Sequence, residues 1–443
     1  MTDLLNLPCL RVTDYEDCGD HYFVAAHGHL EPGPCGGCGH DDYYRHGAQK
    51  QIIMDTPIHG KRTMIEVHRR RFRCKICGKT AFEPMPDIDP KRQATKRLVD
   101  YIEHRCLTET FMSLAREVGV DNKTVRNIFD DMLARKEKQH KYQTPEVLGI
   151  DELKIIGDYR AMLTNIKELA LFDMLPSRKK ANLIDYFRNL PDKGKVTTLV
   201  MDMWNPYRQL GVQELPGRLI VVDKFHVLRM ANEGLERVRK RIRKGLDQKT
   251  RLKLKNERFV LLKRKSALSE DEKKDARKWF SLFPELGCAY DAKERFFEIY
   301  DQPTRAAAEI VAGRWANSLP TDVAKDFRDL QVALGNWNKE IFNYYENPVT
   351  NAYTESLNAI ARQINRMGRG YSFEVLRARL LFEKQAIKKS PSLRKKPRQR
   401  PVSGYEFIQE FKRGLEGSAE EPVVEYGVDL LKLIQLFEDG YFS

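Results

Sequence analysis

Val147-Leu148-Gly149-Ile150-Asp151, Thr198-Leu199-Val200-Met201-Asp202 and Leu219-Ile220-Val221-Val222-Asp223 are three short apolar runs that each end on an aspartate. Continuous apolar runs of this length predict strands buried on both faces, and an acid at the carboxyl end of such a strand sits where open α/β sheets hold their ligands. Aspartate also ends strands for purely local reasons, so one such acid carries little weight. Three within one stretch of chain point to a site. Further β-rich runs at 160–166 and 169–175, with helical periodicity at 180–190, make 147–227 a mixed α/β unit.

A fourth acid, Glu355, falls on a helix that Asn347 is expected to cap and Pro348 to open. Tyr353, Leu357, Ile360 and Ile364 form its apolar stripe, while Asn351, Glu355, Asn358 and Arg362 share another face. Carboxylates gathered in this way repel one another unless hard cations lie between them, which predicts Mg²⁺ or Mn²⁺ on oxygen ligands. Two such ions ~3.5–4 Å apart serve phosphoryl transfer on nucleic acid. Glu152 follows Asp151, but strand alternation turns it to the opposite face.

Outward from this unit, the first ninety residues are rich in turn formers and hold six of the eight cysteines. They read as a small module with little core of its own. Cys35-Gly36-Gly37-Cys38 and Cys74-Lys75-Ile76-Cys77 are two CxxC knuckles, each able to place two thiolates at neighbouring corners of a tetrahedron and together to close a structural Zn²⁺ site. Strands near 51–54 and 63–72 would fill the gap between them. His40 and His46 lie close enough to replace one thiolate; Cys9, Cys18, Cys106 and Cys288 have no such pairing. The segment before the second knuckle carries Arg69, Arg70, Arg71 and Arg73, read either as a strand presenting cations to DNA phosphates or as a solvated edge strand.

Three short helices are expected between 95 and 138. Within them, Phe111 to Ile128 has the pattern of a DNA-binding helix-turn-helix, with Ala115 small at the helix crossing, Gly119 in the turn, and Val120, Val125 and Ile128 packing. Asp121 or Asn122 caps the second helix, which turns Asn122, Lys123, Thr124, Arg126 and Asn127 outward toward base edges and phosphates.

From 228 to 345 strand signals vanish and helical periodicity takes over. Between Arg237 and Lys265 there are fourteen lysines or arginines against only Asp247 and Glu257. Arg237, Arg239, Lys240, Arg241, Arg243 and Lys244 head this basic stretch, read as a phosphate clamp although such runs are often solvated helix faces. Ser390–Pro401 is a basic, proline-bounded linker, and the tail from Tyr405 is more acidic and helix-compatible.

Bulk properties agree. The chain has 443 residues, of which 41% are hydrophobic, enough for two to four domains of ~100–200 residues. Its longest aliphatic runs fall far short of the ~18–20 apolar residues of a membrane helix, and the first residues lack a secretory n-region, so the chain is expected in the cytosol. Eight cysteines at these spacings are no disulfide framework. A net charge of +14 fits a polyanion partner.

Taken in order, the paired CxxC knuckles, the helix-turn-helix, Gly149-Ile150-Asp151-Glu152, Met201-Asp202-Met203-Trp204-Asn205-Pro206-Tyr207, Asp223-Lys224-Phe225-His226-Val227 and Thr350-Asn351-Ala352-Tyr353-Thr354-Glu355-Ser356-Leu357-Asn358 form an ordered set. That set, covering about Cys35 to Phe373, resembles the L-three family of bacterial insertion-sequence transposases. The resemblance implies a multidomain α/β plus α protein. Its parts would be a zinc-ribbon-like module (1–90), a helix-turn-helix (91–140), and a ribonuclease-H-like core (145–227 and 346–389). A helical basic domain (228–345) interrupts that core, and a linker and helical tail (390–443) follow it.

The resemblance further implies a DDE triad of Asp151, Asp202 and Glu355 holding Mg²⁺ or Mn²⁺, with Asp223 and His226 in an acid-x-x-His signature near it. Their role stays open between a core pair and proton transfer or DNA positioning. Many relatives carry glycine after the catalytic glutamate, where this chain has Ser356. Expected partners are double-stranded DNA, as terminal inverted repeats and target, and further copies of the chain, acting at the bacterial nucleoid. A DNA-binding regulator without chemistry, or a nuclease without strand transfer, would share much of this sequence.

Overall fold

The computed structural model describes residues 5–140 and 143–389; the linker and tail expected at 390–443 lie outside them. The described chain forms two compact units, one of residues 5–140 together with 378–389, the other of residues 143–377.

In the first unit, β1 (Leu10–Asp17), β2 (His21–Gly28), β3 (Tyr43–Ile58), β4 (Lys61–Cys74) and β5 (Thr80–Phe82) form one sheet of order β1-β2-β4-β3, with β5 paired to β4. β3 and β4 make a long hairpin. Its two-residue loop, His59-Gly60, has φ of 51° and 77°, the positive values a type I′ turn needs. The two expected strands are thus the inner parts of this hairpin. β1 and β2 carry no such signal, because β1 is exposed at nearly every position and shows no apolar alternation.

The module also has a core of its own, contrary to the sequence reading. Leu5, Leu7 and Leu10 from the N-terminal segment pack with Val24, Ala26, Ile53, Ile65 and Val67. β4 is paired on both sides, by β2 and β3 and further on by β5, so it is not an edge strand.

Three helices follow as expected: α1 (Lys96–Arg105), α2 (Phe111–Val118) and α3 (Asn122–Gln139). Gly119 ends α2 at φ 77°, and the Asp121 carboxylate accepts from the Thr124 N–H at 2.7 Å, so Asp121 is the cap of α3. Leu114, Val118, Val125, Ile128 and Phe129 are buried between the helices.

In the second unit, β6 (Val147–Ile155), β7 (Asp158–Asn165), β8 (Ala170–Leu175), β9 (Thr198–Met201) and β10 (Leu219–Val222) form a sheet of order β10-β9-β6-β7-β8. β10, β9 and β6 run parallel, whereas β6, β7 and β8 form an antiparallel meander. α4 (Lys180–Arg188) and α5 (Asn205–Glu214) cover one face, contributing Leu183, Phe187, Tyr207 and Leu210 to a core with Leu148, Ile150, Leu199 and Met201.

After β10 every described element is helical. The long α6 (Lys224–Lys244) is followed by α7 (Gln248–Asn256), α8 (Arg258–Leu262), α9 (Glu270–Leu282), α10 (Pro284–Phe297), α11 (Arg305–Asn317), α12 (Thr321–Ala324), α13 (Arg328–Asn336) and α14 (Asn338–Phe342). They share a core centred on Leu235, Tyr290, Phe296, Trp315 and Phe327. α15 (Ala352–Met367) and α16 (Phe373–Lys389) end the described chain.

The start of α15 departs from the sequence reading. Its N-cap is Asn351, while Asn347 instead donates to Thr198 Oγ1 at 2.8 Å and Pro348 lies ahead of the helix. Nor is the expected stripe the buried surface. Thr354, Ser356, Asn358 and Ala361 are buried with Tyr353 and Leu357, whereas Ile360 and Ile364 are half-exposed. Polar residues win these positions because the helix lies on the sheet through hydrogen bonds: Asn351 Nδ2 donates to the Ile150 carbonyl at 3.1 Å, and Thr354 and Thr164 hydroxyls meet at 2.6 Å.

Gly149 makes that approach possible. A Cβ there would sit 2.5 Å from Thr164 Oγ1 and 2.6 Å from Asn351 Oδ1. Gly149→Ala is therefore expected to lower the unfolding free energy by roughly 1–3 kcal/mol, read from urea denaturation. A change below about 0.5 kcal/mol would show that strand and helix do not close over this residue.

Candidate functional site

The parallel register sets Ile150 beside Met201 and Met201 beside Val222. The next residue on each strand is an acid, so Asp151, Asp202 and Asp223 stand abreast at the carboxyl edge of the sheet. Asp151 and Asp223 are buried and Asp202 partly so. Asp223 also caps α6, whose first turn carries His226. His226 Nε2 lies 2.9 Å from Asp202 Oδ2, and its Nδ1 lies 3.3 Å from Asp223 Oδ2 and 4.0 Å from Glu355 Oε1.

α15 supplies the opposite wall. The Asn351 N–H donates to Asp223 Oδ1 at 3.2 Å, and Asn358 Nδ2 donates to Asp151 Oδ2 at 2.7 Å. Asp151, Asp202, Asp223, His226 and Glu355 thus share one site. Sequence reasoning assigns neither Asn351 nor Asn358 a role here, although helical spacing puts both on the face of Glu355. Glu152 leaves the site as alternation requires, pairing with Arg178.

Like charge dominates the electrostatics. Burial raises the Asp151 pKa well above the ordinary carboxylate value, with Asp202 and Glu355 pushing the same way and His226 opposing. Burial likewise raises Glu355, and Asp223 adds to it. For His226 burial works against the charged ring, but hydrogen bonds to Asp202 and Asp223 prevail and hold its pKa up to about 11. Among the described residues, Asp202 Oδ1, Asn358 Oδ1 and the Tyr207 hydroxyl are buried with no hydrogen-bond partner. Unpaired oxygens beside buried carboxylates are the donor set a hard divalent cation takes, so these residues fit Mg²⁺ or Mn²⁺.

The four knuckle cysteines also meet. Cys35 and Cys77 sulfurs lie 3.5 Å apart, as do those of Cys38 and Cys74, and all four can lie within 4.8 Å of one another. A tetrahedral zinc with ~2.3 Å bonds has sulfur–sulfur edges of ~3.8 Å. The two knuckles fold alike: the Cys35 N–H bonds to the His40 carbonyl and the Gly39 N–H to the Cys35 carbonyl, and Cys74, Lys79 and Gly78 repeat the pattern. Backbone N–H groups of Gly37 and Cys38 draw the Cys35 thiol down to about 6. Cys38 moves up to about 12: although the His40 N–H stabilises its thiolate, burial and the neighbouring thiols outweigh that. Such a cluster ionises fully only around a cation. His40 instead faces the Cys38 carbonyl and His46 packs on Tyr44, so neither replaces a thiolate.

The cations expected to meet DNA divide into two groups. On α3, Asn122, Lys123, Arg126 and Asn127 are exposed, whereas the Thr124 hydroxyl is bonded to Asp121. Strand alternation separates the arginines of β4. Arg71 and Arg73 are exposed; Arg70 lies on the inner side with Phe72 and Cys74, bonded to the buried Glu83, and Arg69 donates to the Glu83 carbonyl. Arg70 is therefore a structural residue.

α6 shows the same division more sharply. Arg239 is 2% exposed, paired with Glu236 and donating to the Leu254 carbonyl, so it cannot reach phosphate. Arg237 is bonded to the Asp326 carbonyl, Arg241 to Asp326 and Glu285, and Arg243 is half-buried. Lys240 and Lys244 remain exposed. So do Lys249, Arg251, Lys253 and Lys255 on α7, a helix with Leu254 as its one buried residue.

Residues 148–380 match a family profile described as a transposase, residues 31–77 that of the zinc-finger of transposase IS204/IS1001/IS1096/IS1165, and residues 83–132 that of the helix-turn-helix domain of transposase family ISL3. The transposase for insertion sequence element IS1001 of Bordetella parapertussis is 21% identical over 345 residues, covering 76% of this chain and 85% of that protein. No helix among the described residues is long and apolar enough to cross a membrane.

The cysteine cluster, within the matched zinc-finger segment, is a structural zinc site. The purified chain is expected to hold about one zinc per molecule, measured by elemental analysis. Cys38→Ser should lose that metal on dialysis and unfold at lower temperature. Full zinc retention by that variant would exclude a four-thiolate site.

Proposed function

The chain belongs to the ISL3 family of transposases, and on that premise we propose that it binds the terminal inverted repeats of its own insertion sequence and cuts and joins DNA with a DDE centre of Asp151, Asp202 and Glu355. The observation that carries this reading is the row of strand-end acids at the sheet edge, faced by Glu355 from α15. An antiparallel meander, β6-β7-β8, followed in the chain by β9 and β10 parallel to β6, with a helical stretch before the last acid, supports a ribonuclease-H-like core (145–227 and 346–389) interrupted by a helical domain (228–345).

In this mechanism Asp151, Asp202 and Glu355 would hold the catalytic Mg²⁺ or Mn²⁺, which would supply charge neutralisation at the phosphate and activation of the attacking hydroxyl. Asn358 fixes the orientation of the Asp151 carboxylate. Asp223 accepts from His226 Nδ1 and so keeps Nε2 directed at Asp202, placing a proton-carrying group at the edge of the site.

DNA is met by Asn122, Lys123, Arg126 and Asn127 of α3, by Arg71 and Arg73 of β4, and by the exposed cations Lys240, Lys244, Lys249, Arg251, Lys253 and Lys255. Joining two ends of one element requires two active sites, so the working form is a homodimer or larger, acting at the nucleoid.

The test is incubation of the full chain with Mg²⁺ or Mn²⁺ and DNA carrying the sequences that flank its gene. Wild type should give defined cuts and joined products, and Asp202→Asn should reduce them by at least ~10²–10³-fold while still binding DNA. Specific binding with no metal-dependent cutting by wild type would leave a DNA-binding regulator, and cuts without joining a nuclease.

The clamp has its own measurement. Replacing Lys249, Arg251, Lys253 and Lys255 by alanine should flatten the dependence of log K on log salt by about 0.9 for each phosphate that is no longer neutralised. An unchanged slope would remove α7 from the interface.

A further inference from the structure

Beside the carboxylates lies a cavity of about 380 Å³ lined by Tyr159, Arg178, Lys179, Lys180 and Trp204, with Asp158 as its single acid. It has no part in holding the catalytic carboxylates, yet the backbone ties it to Asp202. The Trp204 backbone N–H donates to the Asp202 carbonyl at 2.7 Å, and Arg178 pairs with Glu152, which strand alternation turns away from Asp151. Its walls combine flat rings with cations. The Arg178 guanidinium sits 4.0 Å from the Tyr159 ring centre and 4.7 Å from that of Trp204.

Trp204 is held edge-on against Tyr207, with ring centres 4.7 Å apart, so its orientation is fixed before anything binds. Lys179 is exposed, and the Asp158 carboxylate is engaged by the Tyr159 N–H at 2.7 Å. Positive charge therefore outweighs negative at the mouth.

The size and lining together select the occupant. A cavity of this volume falls at the small end of the ~300–1,000 Å³ range of ligand sites, room for one nucleotide and not for a duplex. Stacked bases present only their edges to a protein, whereas ring and guanidinium faces bind a base that has left the stack. Resting on the transposase reading above, we propose that this cavity receives one base of the DNA end, extruded from the duplex next to the cut, with its phosphate held by Lys179 and Lys180. Unstacking costs a few kcal/mol, offset by stacking and phosphate contacts in the cavity. Drawing out that nucleotide would bend the strand beside Asp202 and fix which phosphate faces the acids.

The experiment uses the full chain and duplexes bearing the gene's flanking sequence, with an abasic site placed in turn at each position around the cut. Trp204→Ala is expected to cut intact duplex about 10- to 100-fold more slowly than wild type. It should regain most of that loss when one particular base beside the cut is absent, because nothing then has to leave the stack. Trp204→Phe, which keeps an aromatic face, should stay close to wild type.

A second measurement needs no variant. With Ca²⁺ replacing Mg²⁺, 2-aminopurine at that one position should change its fluorescence on binding wild type, and at other positions should not. Wild type that cuts normally while no position shows rescue or a fluorescence change overturns the proposal and leaves the transposase reading standing. Wild type that neither cuts nor joins any flanking sequence overturns both.

Discussion

Three parallel strands that end in register force three carboxylates together. Nothing in the backbone allows Asp151, Asp202 and Asp223 to separate, because the ladder that pairs Ile150, Met201 and Val222 also fixes the residue after each. The neighbouring structure answers that repulsion. The α6 N-terminus begins at Asp223, where its unpaired N–H groups favour an acid, and its first turn brings His226 between the carboxylates. Asn351 and Asn358 donate from α15. Asp202 Oδ1 and Asn358 Oδ1 are still unsatisfied after these contacts.

The knuckle cysteines pose the same problem with softer atoms. Four thiols held within bonding range of one centre cannot all ionise unaided: backbone N–H groups favour the Cys35 thiolate, whereas burial and the neighbouring thiols outweigh the His40 N–H at Cys38. In each unit of the chain the backbone hydrogen-bond pattern gathers groups of like charge. Ligand hardness separates the two: sulfur suits zinc, and oxygen suits the hard divalent ion of the proposed reaction.

Arginine was the residue least readable from sequence. Arg71 and Arg70 are neighbours in the chain, but one faces solvent and the other a buried glutamate, a difference the two-residue period of a strand should have shown. Arg237, Arg239 and Arg241 required more than periodicity. Their partners, Asp326, Asp329, Glu236 and Glu285, lie mostly far along the chain, and a guanidinium that bridges helices looks in sequence like one that waits for phosphate. The cations of α7 are distinguished only by having almost no core beneath them.

Sequence alone determined the chemistry: which residues are acids at strand ends, which cysteines come in pairs, where the helix-turn-helix lies and which family the ordered motifs resemble. Those signals are local, written in spacing and in short apolar runs, so they survive without a fold. Tertiary structure decided what depends on residues distant in the chain. It placed α15 on the sheet by polar contacts instead of the apolar stripe its spacing suggested, buried Arg239, and brought Arg178, Tyr159 and Trp204 around one cavity. Spacing records which side chains share an element, whereas burial and pairing are set by whatever that element meets.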